Sequence, residues 1–95
     1  MLEMKKDTQA VKEEIEKKRI KNERNFSHWG KLPNGGRKYW YEITGKSGYK
    51  AHYIKEVNKK EETVKFYQEI YDNNGNLVEI HKKFPVFFRL FDLPM

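Results

Sequence analysis

The apolar positions change their rhythm about a third of the way along the chain. Over residues 3–24 Lys, Glu, Arg and Gln dominate, with no Gly or Pro, which is a composition that favours helix. Met4, Val11 and Ile15 fall on one narrow stripe with Thr8 between them, so this helix has little to bury. Opposite charges recur four apart, as in Glu13–Lys17 and Glu14–Lys18, and support an exposed helix. Asp7 or Thr8 offers an N-cap.

Residues 25–38 read as a loop. Asn25, Gly30 and the Pro33-Asn34-Gly35-Gly36 turn punctuate it, and Phe26 and Trp29 are expected to pin it to the core. From Tyr39 onward the pattern becomes one of strands rich in Tyr, Phe, Val and Ile, expected over 39–44, 49–57, 63–72 and 76–84. The connections, Lys46-Ser47-Gly48, Asn58 to Glu62, and Asn73-Asn74-Gly75, are short enough to force antiparallel neighbours. The expected fold class is α+β, an N-terminal helix followed by a four-stranded antiparallel β-meander. It divides into a connector helix, 1–24, and a sheet domain, 25–95. No internal repeat is apparent.

Loop length sets the register. A three-residue loop at 46–48 pairs Ile43 with Ala51 and Glu42 with His52. Matching Val57 with Val64 brings His52 opposite Glu69 and Ile54 opposite Tyr67. A three-residue loop at 73–75 pairs Ile70 with Val78, Val64 with Phe84, Tyr67 with His81, and Glu69 with Glu79. The two-residue alternative sets Tyr71 against Val78 and Glu69 against Ile80, which mixes apolar and polar residues on one face. The expected core face therefore carries Ile43, Ala51, Ile70 and Val78, with Tyr41, Tyr53, Val57, Val64, Phe66, Ile80 and Phe84 beside them. Glu42, His52, Glu69 and Glu79 form a row on the other face, flanked by Lys50, Tyr67, Tyr71 and His81.

The segment from Pro85 to Met95 is very apolar, with Val86, Phe87, Phe88, Leu90, Phe91 and Leu93. It is expected to cover part of the sheet or to dock a partner chain.

Composition adds a direction. Lys and Arg number 20 against 14 Asp and Glu, a net charge of +6, which favours an acidic partner such as RNA, DNA or anionic lipid. Aromatic residues reach 15%, too many for a disordered chain. The absence of cysteine excludes a disulfide scaffold and a Cys-based zinc site, and no metal or other cofactor is expected. No signal-peptide pattern is present, and no apolar run approaches the roughly 20 residues of a membrane span, so no membrane partner is expected.

Three segments carry a resemblance: Gly48-Tyr49-Lys50-Ala51-His52-Tyr53-Ile54-Lys55-Glu56-Val57, Lys65-Phe66-Tyr67-Gln68-Glu69-Ile70-Tyr71-Asp72, and the run from Gly75 through Phe84-Pro85-Val86. They resemble the C-terminal toxin domains of bacterial polymorphic toxin systems. The layout is similar to that of barnase-like, colicin-nuclease and RelE-like ribonucleases. The resemblance covers residues 39–86. It implies a metal-independent ribonuclease effector acting in the cytoplasm, delivered as the C-terminal part of a secreted protein and neutralised by an acidic immunity protein. Such domains run on from Phe-Pro-Val into an Asp-x-Gly-His ending. Here Phe87-Phe88-Arg89-Leu90 follows Val86, which implies a truncated or divergent, catalytically impaired relative.

The residues supply chemistry of that kind. Metal-independent RNA cleavage needs a base for the 2′-hydroxyl, an acid for the leaving oxygen and cations for the phosphate. The expected catalytic set is His52, Glu69, Tyr67 and His81. The expected nucleic-acid contacts, with RNA such as tRNA as partner, are Lys50, Lys65, Lys83, Arg37, Lys38 and Trp40. Gly35-Gly36-Arg37-Lys38 could approach a phosphate through backbone N–H groups. His28, beside Trp29 in the loop, is read as structural. The plain alternative is a solvated sheet face with ordinary cross-strand Glu–His and Tyr–His pairs. The rival functional class is a non-enzymatic binding or assembly module that docks, or homodimerises, through residues 85–95. An immunity protein ranks last, because a partner for a basic toxin would be acidic.

Overall fold

The computed structural model describes residues 2–84, and side chains from Thr8 onward. The expected order or docking of the tail 85–95 lies outside the described residues. One helix, α1 (Leu2–Asn25), leads into five strands: β1 (His28–Lys31), β2 (Arg37–Thr44), β3 (Lys50–Val57), β4 (Thr63–Tyr71) and β5 (Leu77–Phe84). They form one antiparallel sheet in chain order, β1-β2-β3-β4-β5.

The class is α+β as expected, but the strands number five, not four. The added strand, β1, lies within the segment read as loop and pairs His28–Lys31 with Arg37–Trp40. It is only four residues long and contains Gly30, so its own propensity is weak. The Pro33-Asn34-Gly35 turn supplies what propensity does not, by folding it onto β2.

Three of the four hairpin loops share one geometry. The 32–36, 58–62 and 72–76 loops each close with an N–H to O=C bond between their ends, at 2.9, 3.0 and 2.9 Å. Each third loop residue is left-handed: Gly35 at φ 88°, Glu61 at φ 61° and Gly75 at φ 83°. This is the type I turn with a left-handed closing residue that suits a three-residue hairpin. Asn58 and Asp72 hold their loops in the same way. Asn58 Oδ1 accepts from the N–H groups of Lys60 and Glu62 (2.9 and 3.0 Å), and Asp72 Oδ1 from those of Asn74 and Asn76 (2.9 Å each). The 46–48 connection instead forms a short 3-10 turn, with Ser47 left-handed at φ 66°.

Two of the expected registers hold over most of their length. Ile43 faces Ala51 and Glu42 faces His52, while His52 faces Glu69 and Ile54 faces Tyr67. Val57 faces Thr63 and not Val64, because the ladder shifts at Glu56/Val57. The third register slips. The 73–75 loop closes as expected, but irregularities follow between Ile70 and Tyr71 and between Phe66 and Tyr67. Val78 and Lys83 are the extra residues on β5. Gln68, not Tyr67, then faces His81, and Glu69 faces Ile80. Bulges are a common device on edge strands, where they twist a free edge away from other chains. Alternation read from sequence assumes an unbroken ladder, so it cannot register them.

The slip redistributes the faces. One face, which the end of α1 approaches, carries Tyr39, Tyr41, Ile43, Ala51, Tyr53, Lys55, Phe66, Gln68, Ile70, Glu79, His81 and Phe84. The far face carries Lys38, Trp40, Glu42, Lys50, His52, Ile54, Glu56, Lys65, Tyr67, Glu69, Tyr71, Ile80 and Lys82. Glu79 and His81 have left the expected polar row, and Ile80 has joined it.

Burial is concentrated at a few positions, two of them on the face that α1 approaches. Among the described residues Tyr39, Ile54 and Val57 are the buried apolar side chains. Each contributes roughly 1.5–3 kcal/mol. Tyr39 and Val57 share the helix-side face, whereas Ile54 lies between Trp40 and Tyr67 on the far face. Phe26 packs on Tyr39 and Tyr41, with ring centres 5.9 and 5.5 Å apart, as expected of a core anchor. Trp29 does not join the core; it is 44% exposed and lies under the Arg37 guanidinium at 4.4 Å. Ile43, expected at the centre of the core, is 47% exposed, because α1 covers only the opposite end of its strand. The helix starts at Leu2, so Asp7 and Thr8 lie inside it and not at its cap.

A polar clamp joins α1 to the sheet. Glu23 Oε2 receives Arg19 at 2.8 Å and Arg37 at 2.9 Å. Asn22 donates to Glu61 Oε2 at 3.1 Å and accepts from Lys55 Nζ at 2.8 Å. Tyr39 donates to the same Glu61 oxygen at 2.7 Å, and Arg37 Nε lies 3.7 Å from Glu61 Oε1.

Candidate nucleic-acid interface

The far face is assembled from alternate residues of β2, β3 and β4. Period-two alternation turns Lys38, Trp40 and Glu42 the same way as their partners Glu56, Ile54 and His52. Those in turn align with Lys65, Tyr67 and Glu69. This region of the sheet keeps the expected register, so His52, Tyr67 and Glu69 of the expected catalytic set share one surface.

His52 Nε2 lies 2.8 Å from Glu42 Oε1, and its ring centre is 4.9 Å from that of Tyr71. The hydrogen bond from His52 holds the Glu42 carboxyl below its usual range, and Lys50, 3.9 Å away, adds to the effect. An ionised Glu42 can only accept, so His52 Nε2 carries the proton and Nδ1 is left as the nitrogen that can take another. Tyr71 donates its phenol hydrogen to Glu69 Oε1 at 3.0 Å, and Tyr67 donates to Glu56 Oε2 at 2.8 Å. Burial, followed by these carboxylates, pushes both phenols above their ordinary range. Tyr67 and Tyr71 are therefore firmly protonated donors.

Each carboxylate of this face thus has a proton donor from the face itself. The cations are treated differently. Among the described residues Lys38, Lys65 and Lys82 form no ion pair; Lys38 lies 5.8 Å from the Trp40 ring centre instead. His28 stacks on Trp40, with centres 5.5 Å apart and planes 19° from parallel. A surface of part-exposed Trp40, Tyr67, Tyr71 and His52, fringed by unpaired lysines, offers planar groups for stacking and cations for phosphate.

The remaining expected residues fall elsewhere. His81 lies on the helix-side face, where its Nε2 is 3.0 Å from Glu79 Oε2 in an exposed pair. The bulge separates it from His52. Lys83 is the bulged residue itself, and Lys82 takes the place opposite Tyr67. Arg37 is held by Glu23, Glu61 and the Trp29 ring on the helix side, so its guanidinium is committed to the fold. The Gly35-Gly36 turn makes no phosphate cradle: the Gly36 N–H donates to Asn34 Oδ1 at 2.8 Å, and Gly36 is packed against the Val57 carbonyl.

Glu42, Tyr71 and Glu56 belong to the site as direct partners of His52, Glu69 and Tyr67, although the expected catalytic set omits them. The β2–β3 register already set Glu42 opposite His52. Nothing in the alternation could foretell which carboxylate each phenol would choose. Among the described residues no group of three His, Cys, Asp or Glu could hold a metal ion, and no helix is long and apolar enough to cross a membrane. No family model, curated protein or solved structure matches this chain.

Proposed function

We propose that this chain is an RNA-directed domain that lays single-stranded RNA across the far face of its sheet. The observation that carries this reading is the division of labour there: three acids are occupied by His52, Tyr67 and Tyr71, while Lys38, Lys65 and Lys82 stay available for phosphate. Trp40, Tyr67 and Tyr71 would stack on bases, and the lysines would follow the backbone. Where the domain cleaves, the Glu42–His52 pair is the acid–base element, with Glu42 orienting the ring and Nδ1 exchanging the proton. His81 has no part in this chemistry. The toxin-effector setting, with a cytoplasmic site of action and an acidic immunity partner, belongs to the same proposal and rests on the resemblance of residues 39–86. Incubation with total tRNA in the absence of metal tests it: association at low ionic strength, with or without cleavage, supports the reading.

One observation favours a second reading, a protein-docking or homo-oligomeric module. All eight residues of the edge strand β5 are exposed, with Leu77, Val78, Ile80 and Phe84 each between 47% and 54%. A monomer rarely leaves such a row in water. The mass of the chain in solution discriminates: a stable dimer with no tRNA affinity would put this reading first.

A further inference from the structure

The last turns of α1 present an unusual stripe to the sheet. Lys18, Lys21, Asn22 and Asn25 are spaced i, i+3, i+4 and i+7, which places them along one side of the helix. A helix that packs on a sheet carries apolar residues at such positions. Here the four line a cleft of about 440 Å³, with Lys55 and Thr63 on its sheet side. The cleft is polar where close packing would have closed it.

Its charges are unbalanced in one direction. Lys18, Lys21 and Lys55 form no ion pair among the described residues, and Lys55 Nζ is held by the neutral Asn22 Oδ1 at 2.8 Å. Two carboxylates, Glu61 and Glu62, share its lining against the three lysines; both are turned to other donors, and Arg37 Nε lies 3.7 Å from Glu61 Oε1. Glu61 is 6% exposed and accepts from Tyr39 and Asn22, and Glu62 accepts from Asn58 Nδ2 at 3.0 Å. Burial and the nearby Lys21 depress the Lys55 ammonium, and Glu61 offsets this only in part; an anion in the cleft would relieve the rest.

We propose that this cleft between the end of α1 and strands β3 and β4 binds a phosphate group. Lys18, Lys21 and Lys55 supply the charge, and the Asn25 amide and Thr63 hydroxyl supply further hydrogen-bond donors. Lys55 and the far-face lysines point to opposite sides of the sheet, so the inference does not depend on the RNA reading.

The test uses the full chain, isotopically labelled and titrated by NMR with inorganic phosphate and with pyrophosphate at constant ionic strength. The expected result is a saturable shift of the Asn22 and Asn25 side-chain amides and of the Lys55 methylene next to nitrogen. Lys21→Ala and Lys55→Met should each weaken binding roughly tenfold, the effect of losing one charge-assisted contact. Lys21 is exposed, so its variant keeps the test valid if Lys55→Met fails to fold. Lys46→Ala, in the 46–48 turn and outside both the cleft and the far-face lysines, should leave the titration unchanged. A 5′-phosphorylated dinucleotide and its unphosphorylated counterpart separate two sources: a shift from the first alone assigns a terminal phosphate, and a shift from both assigns a backbone diester. Shifts that rise linearly without saturation, or that are the same in wild type and both cleft variants, would overturn the proposal.

Discussion

Tyr39, wholly buried, donates its hydroxyl hydrogen to Glu61 Oε2 at 2.7 Å, and Glu61 is the one left-handed residue among the three matching loops that is not glycine. An L-residue in that conformation costs roughly 1–2 kcal/mol. The 58–62 loop tolerates it because the side chain reaches under α1 and meets Tyr39, Asn22 and Arg37.

Glu61→Gly should therefore destabilise the protein, although glycine is the residue that its backbone angles prefer. The relief of strain is outweighed by leaving the buried Tyr39 hydroxyl and the Asn22 amide short of an acceptor, at about 1–3 kcal/mol each. Tyr39→Phe should cost about 2 kcal/mol, as expected for one hydrogen bond to a charged group. Thermal or urea unfolding of the two variants checks this, and a more stable Glu61→Gly protein would refute the clamp.

The same pair predicts a limit at alkaline pH. Burial, together with Glu61, pushes the Tyr39 phenol up to about 12 from its ordinary 10. The unfolded chain loses that proton first as pH rises. The stabilisation is thus fully present below pH 10 and declines between pH 10 and 12. Unfolding followed across this window should show the decline, and Tyr39→Phe should make it shallower, the remainder coming from Tyr67 and Tyr71, whose phenols are also raised.

Two glycines should respond differently to alanine. At Gly75 a Cβ meets open space, so Gly75→Ala carries only the left-handed penalty of about 1 kcal/mol. At Gly36 a Cβ would run into the backbone carbonyl of Val57, which cannot yield without parting β2 from β3. Gly36→Ala should be far more damaging, with a melting temperature well below that of Gly75→Ala. Equal losses at the two sites would contradict the close approach.

Much of this architecture is legible in the residues. The Gly48 and Gly75 turns and the aromatic-rich strands lead to an antiparallel meander, and they place His52 between Glu42 and Glu69. β1 escapes because His28-Trp29-Gly30-Lys31 has no strand signature of its own. The β5 register escapes because Val78 and Lys83 bulge out of the ladder, and one slipped residue turns His81 to the opposite face. Glu61 escapes because a charged loop residue reads as solvated. A trace was present nonetheless: Gly35, Gly48 and Glu61 stand thirteen residues apart, so the carboxylate occupies a turn position that the other two fill with glycine.

The displacement of His81 separates two histidine variants. If the domain cleaves RNA, His52→Ala should abolish cleavage and spare most of the binding, since the ring acts on the transition state more than on the bound phosphate. His81→Ala should leave both unchanged. Cleavage lost in His81→Ala and kept in His52→Ala would reverse the assignment of the active face.

The most direct test is the equilibrium binding of a single-stranded RNA oligonucleotide, followed by fluorescence anisotropy over a series of salt concentrations without metal. Measurable affinity is expected at low ionic strength, with a linear fall of log affinity against log salt at about −0.7 per phosphate contact. Lys38→Ala and Lys65→Ala should each weaken binding and flatten that slope by one such step. No association at low ionic strength, or an affinity indifferent to salt and to both substitutions, would contradict the RNA-directed reading.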